Sequence, residues 1–373
     1  MFLKNRSLPI AALATGLAFA APVFADDLST MSWDEIVTQA KEEGSVTWYQ
    51  WYLQPEFREA VGQFEAEFGI TVTIPEGGGG ANRDKLLAET GRDEGDIDVI
   101  SLWTGALTEM DQTDVFMGPI TAMMPGGDQR NVMPESWDTE GHAVAFWGNQ
   151  AGLAYNSARV DADDLPQTVE EVSAWMEANP YGMGFNVAEG GSGKGFFSSV
   201  SRVLLPDVDF DDAANGEDQL ADVTAAYEWF DAREDQFIIT ASNADSVTRL
   251  NDGEFLIVPS YEDFVAGLQA KGEISADIAF YVPEFGMPGG NNIVAIPANA
   301  PNPAAALVFV HWLTSAEVQA GFNQNFGSVP QHPESSDEFS LVPSEQRAYT
   351  IAWPKEPFLG MFLDGFIENV VQN

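Results

Sequence analysis

Residues 46–74 read VTWYQWYLQPEFREAVGQFEAEFGITVTI. The opening residues, Val46 to Trp51, are β-branched and aromatic and form a strand pattern. From Pro55 to Phe68 the apolar residues Phe57, Val61, Phe64 and Phe68 recur at spacings of three and four, the stripe of an amphipathic helix. Gly69 stops that helix, and Thr71 to Ile74 is a second strand. A strand, a crossover helix and a strand in so few residues is the unit of a parallel sheet.

The same grammar extends on both sides. Upstream, Ser32-Trp33-Asp34-Glu35 is a capping-box start for a helix that runs to about Glu43 and stops at Gly44. Downstream, the glycine run Gly77 to Gly80 leads into a helix from about Arg83 to Glu89, and Val99 to Leu102 is a third strand. Helices are expected at Thr168 to Ala178, Gly195 to Leu205, Asp218 to Ala232, Tyr261 to Lys271, Pro303 to Leu313, Ser315 to Gln324 and Pro357 to Val371. Strands are expected at Leu256 to Pro259, Ile278 to Val282 and Ile293 to Ile296. The alternation defines an α/β protein with mostly parallel sheets. Its 373 residues exceed what one hydrophobic core usually supports, so two lobes are expected. No low-complexity linker separates them, so the chain is expected to cross between lobes through strands.

Charge and composition remove several functions. With 58 acidic and 16 basic residues the formal net charge is −42, which repels a nucleic-acid backbone. The absence of cysteine excludes a disulfide framework, a thiolate metal site and a cysteine nucleophile. At the N-terminus, Lys4 and Arg6 precede an apolar run from Leu8 to Ala21, and Val23-Phe24-Ala25 follows. That is the pattern of a secretory signal peptide, with cleavage expected after Ala25.

Three further segments carry a resemblance. Ile296-Pro297-Ala298-Asn299-Ala300-Pro301-Asn302-Pro303 opens a helix and is followed by Thr314-Ser315-Ala316-Glu317-Val318-Gln319 and Phe326-Gly327-Ser328-Val329-Pro330. Upstream lie Gly152-Leu153-Ala154-Tyr155-Asn156 and the acidic turn into a strand from Asp96 to Leu102. In this order the chain resembles the extracellular solute-binding proteins of ABC importers, in the branch that includes spermidine/putrescine, thiamine and ferric-iron binders. The resemblance implies a two-lobed periplasmic-binding-protein fold of type II, each lobe a mostly parallel sheet flanked by helices, with hinge strands between them. The expected division is residues 26–146, with 291–345 returning, for one lobe and 147–290 for the other; residues 346–373 form a C-terminal helical segment. It also implies a periplasmic monomer that hands a small solute to an ABC permease, uses no cofactor and performs no chemistry.

In open α/β sheets the ligand lies beyond the carboxyl ends of strands, and that rule nominates residues. Trp51 and Tyr52 follow the first strand; Trp103 and Thr104 follow the third; Trp147 and Asn149 stand before the Gly152 strand. The tryptophans could stack on a ring, a sugar or a cationic amine, or belong to the cores. Tyr261, Glu262 and Asp263 follow the strand ending at Pro259, where a carboxylate could pair with an ammonium group or serve as a first-turn acid. The loop Glu189-Gly190-Gly191-Ser192-Gly193-Lys194-Gly195 could hold an anion through Ser192, Lys194 and backbone N–H groups, or merely cap a helix. It lacks the spacing of a P-loop, having Ala188 and Gly195 where Gly and Ser or Thr belong. Asn291 and Asn292 lie at the return crossing, as ligand partners or turn formers, and Gly77 to Gly80 with Asn82 and Arg83 is a comparable donor loop.

His142, His311 and His332 show no metal-ligand spacing, and the tyrosines Tyr49 and Tyr52 are not adjacent as in many ferric-iron binders. No Gly-x-Ser-x-Gly elbow occurs. The leading expectation is therefore capture of an organic cation such as a polyamine or a thiamine-like molecule, on the tryptophans with Glu262 or Asp263. A sugar or an organic or phosphorylated anion is the first alternative, and a secreted glycoside hydrolase using paired carboxylates is the second.

Overall fold

The computed structural model describes residues 28–187, 190–211, 223–343, 345–355 and 357–372. The signal segment, its cleavage point, Glu189 and the start of the helix expected from Asp218 lie outside the described residues.

Among the described residues there are ten strands: β1 (Ser45–Tyr49), β2 (Thr71–Thr73), β3 (Val99–Trp103), β4 (Ala143–Asn156), β5 (Met183–Asn186), β6 (Phe237–Thr240), β7 (Ile257–Tyr261), β8 (Ile278–Tyr281), β9 (Met287–Ala295) and β10 (Thr350–Ile351). At one end β1 pairs in parallel with β2 and β3; at the other, β5 pairs in parallel with β6 and β7. β4 and β9 join the two ends. They pair antiparallel from Ala143 opposite Ala295 to Gln150 opposite Gly289, with a register irregularity between Ala145 and Trp147.

These two strands pass from one core to another. Val144, Phe146 and Trp147 of β4 pack with Trp48, Phe57, Phe64, Phe309 and Phe322. Four residues beyond Trp147, Ala151 begins a run in which Ala151, Leu153 and Ala154 belong to a separate core built on Phe185, Phe196, Phe197, Phe230, Phe362 and Phe366. β9 runs the opposite way, with Met287 in the second core and Val294 in the first. The result is a two-lobed α/β protein joined by hinge strands.

The expected elements are present with two physical corrections. The stripe from Pro55 to Phe68 folds as two short helices, Gln54–Ala60 and Gly62–Phe68, broken at Val61 before a glycine. Trp147, Asn149, Asn291 and Asn292 lie inside continuous strands, not before a strand or at a turn. Their segments, FWGNQAG and PGGNN, carry glycine and amide residues, so the apolar signal of a strand is interrupted where the chain crosses. Gly148 is dictated by close approach: a Cβ there would lie 2.8 Å from the Val329 carbonyl oxygen.

Candidate functional site

A cavity of about 920 Å³ opens between the lobes. The first lobe lines it with Trp51, Tyr52, Trp103 and Thr104, from the carboxyl ends of β1 and β3, and with Gly79 and Gly80 at the start of the helix Gly79–Glu89. The second lobe contributes Gly190, Gly191 and Lys194 at the start of the helix Ser192–Leu204, then Tyr261, Asp263 and Phe264 at the end of β7. Asn149 of β4 and Gly290, Asn291 and Asn292 of β9 form the floor where the strands cross.

Local packing explains the glycines. A Cβ on Gly79 would lie 3.3 Å from both Trp51 and Trp103, whose rings meet edge to face with centroids 6.2 Å apart. A Cβ on Gly191 would lie 2.2 Å from the Tyr261 hydroxyl, and one on Gly195 3.2 Å from the Trp353 ring. Without side chains these helix starts let aromatic rings lie directly on backbone.

The carboxylates at the cavity are already engaged. Asp263 Oδ2 accepts the Trp147 indole N–H at 2.8 Å and Oδ1 accepts the Phe264 N–H. Burial pushes its pKa up to about 6, which those hydrogen bonds oppose. Glu135 Oε1 accepts the Asn291 N–H at 2.9 Å, and burial likewise raises its pKa. Glu262 does not line the cavity. It is fully buried, bonded through both oxygens to the Arg347 guanidinium at 3.0 and 2.9 Å, and burial still raises its pKa to about 7.

The lysines are distributed differently. Lys85 pairs with Glu89 and Asp96, Lys271 with Glu56, and Lys41 lies exposed at a helix end. Lys194 and Lys355 both border the cavity, and neither ammonium has an ion-pair partner among the described residues. Arg83, in contrast, is held by Asp84 and Glu109 beside the Trp103 ring.

Of the sequence-nominated residues, Trp51, Tyr52, Trp103, Thr104, Asn149, Lys194, Tyr261, Asp263 and Asn292 line this one cavity. Trp147, Ser192 and Glu262 do not; all three are buried. Trp147 faces the first core, because its side of β4 is covered by Phe322 and Phe326. The Ser192 hydroxyl donates to Asn243 Oδ1 at 2.7 Å inside its own lobe. Glu135, Trp137, Asn243 and Trp353 line the cavity and were not foreseen. Glu135 and Trp137 come from irregular segments, while Asn243 and Trp353 follow β6 and β10, two strands the sequence pattern did not indicate; only Lys355, one of few lysines in an acidic chain, carried a signal beside Trp353.

A cleft floored by two crossing strands and walled by two α/β lobes defines the class of two-lobed solute-binding proteins. The chain belongs to the bacterial extracellular solute-binding protein family, whose sequence model matches residues 59–348. Its members serve as substrate-binding components of ABC transporters. Solved structures with the same fold include iron-bound HitA from Pseudomonas aeruginosa, 18% identical over 86% of this chain and 99% of that one, with a TM-score of 0.65. AfuA from Actinobacillus pleuropneumoniae, with fructose-6-phosphate bound, is 15% identical over 88% and 99%, TM-score 0.62. The spermidine/putrescine substrate-binding protein PotD from Streptococcus pneumoniae is 14% identical over 87% and 98%, TM-score 0.61. Among curated proteins, none matches this sequence.

Proposed function

We propose that this protein captures an organic anion in the interlobe cavity and delivers it to an ABC permease, acting as an exported monomer without catalysis. The lobes would be residues 26–146 with 291–345, and 147–290, with Trp147 on the crossing strand packed in the first core. The C-terminal segment belongs with the second of these, since Phe358, Phe362 and Phe366 pack in its core. Closure about β4 and β9 would bring Trp51 and Trp103 toward Lys194 and Tyr261, and the permease would recognise the closed form.

The observation that carries the charge assignment is the contrast between cations and carboxylates at the cavity. In a chain with 58 acids, the two bordering lysines have no ion-pair partner among the described residues, while Asp263 and Glu135 accept neighbouring N–H groups. A polyamine or thiamine-like cation, the leading expectation from sequence, would rely on Glu262 or Asp263. The first is locked to Arg347 and the second is held by Trp147. The helices starting at Gly79 and Ser192 carry glycine at their N-caps, and their dipoles favour an anion, although the Ser192 N–H is already donated to Asn243 Oδ1. An anionic solute is also the one named for the fructose-6-phosphate-bound relative. A glycoside hydrolase would need two carboxyl groups free to face substrate, and the two here are engaged.

Thermal-shift and calorimetric screening of organic phosphates and carboxylates against polyamines, thiamine and neutral sugars tests this reading. Anions should raise the melting temperature, and Lys194→Gln should weaken their binding about tenfold, with affinity falling as salt rises. Stabilisation by amines alone would overturn it.

A further inference from the structure

We infer that the solute carries a planar ring, stacked between aromatic faces contributed by the two lobes; its anionic substituent rests on the reading above. Each lobe presents aromatic side chains seated on glycine backbone. In the first, Trp51 and Trp103 pack over Gly79, and Tyr52 meets Trp51 edge to face with centroids 4.8 Å apart. In the second, Trp353 rests on Gly195 and reaches Gly191 at 3.6 Å from an ideal Cβ, with its indole nitrogen 3.8 Å from that of Gly290. Tyr261 shares the Gly191 surface. A Cβ on Gly79 or Gly195 would crowd the tryptophan rings at 3.2–3.3 Å, and one on Gly191 would meet the Tyr261 hydroxyl at 2.2 Å, so bare backbone lets these rings sit against the cavity wall.

Part of the polar lining is already committed within the protein, which favours a ring over a polyol. Thr104 Oγ1 donates to the Asn291 carbonyl oxygen, Asn291 Nδ2 to Gln331, Thr108 Oγ1 to the Gly105 carbonyl oxygen, and Asn243 Oδ1 accepts from Ser192 and Asn186. A sugar needs partners for each hydroxyl, and a site left with unpaired groups pays for it in desolvation. The Tyr52 hydroxyl marks where the ring would bear a polar atom. It is buried beside the Gln50 and Asn292 side chains at the foot of the Trp51 face and makes no well-aligned hydrogen bond with either. An acceptor on the ring edge would satisfy it.

The experiment is calorimetry and tryptophan fluorescence on the full exported chain with matched pairs that differ only in planarity: phenyl and cyclohexyl phosphate, benzoate and cyclohexanecarboxylate, benzylammonium and cyclohexylmethylammonium. The planar member should bind about tenfold tighter than its puckered partner and quench tryptophan emission. Trp353→Ala should reduce that preference to less than about threefold while Trp353→Phe retains most of it, and Lys194→Gln should weaken both members of an anionic pair equally. Equal or tighter binding of the puckered members, or no binding by any pair, overturns the ring. Binding of the ammonium pair alone, with planarity still preferred, overturns the anion reading and leaves the ring standing.

Discussion

The indole N–H of Trp147 donates to Asp263 Oδ2 at 2.8 Å, and both side chains are buried. Trp147 stands in the first core, on a hinge strand, while Asp263 opens the helix Glu262–Ala270, whose Val265 packs in the second core. One hydrogen bond thus ties the two lobes beside the cavity. The Glu56–Lys271 ion pair spans the same junction nearer the surface, between the helix Gln54–Ala60 and the end of Glu262–Ala270.

Asp263 titrates with the fold. Its pKa rises from 3.8 to about 6 because burial disfavours the charged form, so the folded state holds its proton to higher pH than the unfolded chain does. Its contribution is most favourable below pH 4 and is lost as pH rises through 6, a change of about 3 kcal/mol. Asp263→Asn keeps an acceptor for Trp147 without the charge. It should melt higher than the unaltered protein at pH 8 and converge with it near pH 4, as followed by circular dichroism.

Replacing Trp147 by Phe removes the donor and leaves a buried carboxylate short of a partner. The loss of stability should exceed that of packing alone by about 1–3 kcal/mol at pH 8 and by less at pH 5, where Asp263 is protonated. Urea denaturation at the two pH values measures the difference.

Glu262 and Arg347 behave as a buried pair. Arg347→Met leaves Glu262 unpaired at the base of the helix it begins and removes the contacts that hold its pKa down. The carboxyl then stays protonated to higher pH, so the cost, about 3–5 kcal/mol once it is charged, should grow as pH rises above 7. Glu262→Gln should cost less, because the exposed side of the Arg347 guanidinium still reaches water. Neither change should alter solute affinity more than about threefold in calorimetry, since neither side chain lines the cavity.

Gly148 is a steric requirement of the crossing. Alanine there would place its Cβ 2.8 Å from the Val329 carbonyl oxygen and 2.3 Å from Gln331 Nε2. The amide can move but the backbone pairing of Gly148 with Val329 cannot, so Gly148→Ala should cost about 1–3 kcal/mol in thermal unfolding.

The strand-end rule found much of the cavity because it depends only on chain direction. A residue at or just past the carboxyl end of β1, β3 or β7 is carried to the cleft whatever packs around it, and Trp51, Trp103 and Tyr261 are there. The same rule failed one or two residues away. Glu262 follows Tyr261 directly, but the helix it starts turns its side chain by about 100° from its neighbours, into the lobe and onto Arg347. Trp147 and Asn149 sit on one strand within two positions, yet one is capped by Phe322 and Phe326 and the other faces the cavity.

The sequence by itself determined the α/β alternation, the two cores and the glycine helix starts, because periodicity, chain length and backbone sterics are local or additive properties. Only the tertiary structure decided which charges remain available to a solute. Asp263 and Glu262 are alike in sequence and adjacent in the chain, but their partners, Trp147 and Arg347, are 116 and 85 residues away. Lys194 and Lys355 meet one cavity from segments with no common pattern. Pairing of charges depends on distances that folding alone sets, and on that pairing rests the proposal of an anion in place of the expected cation.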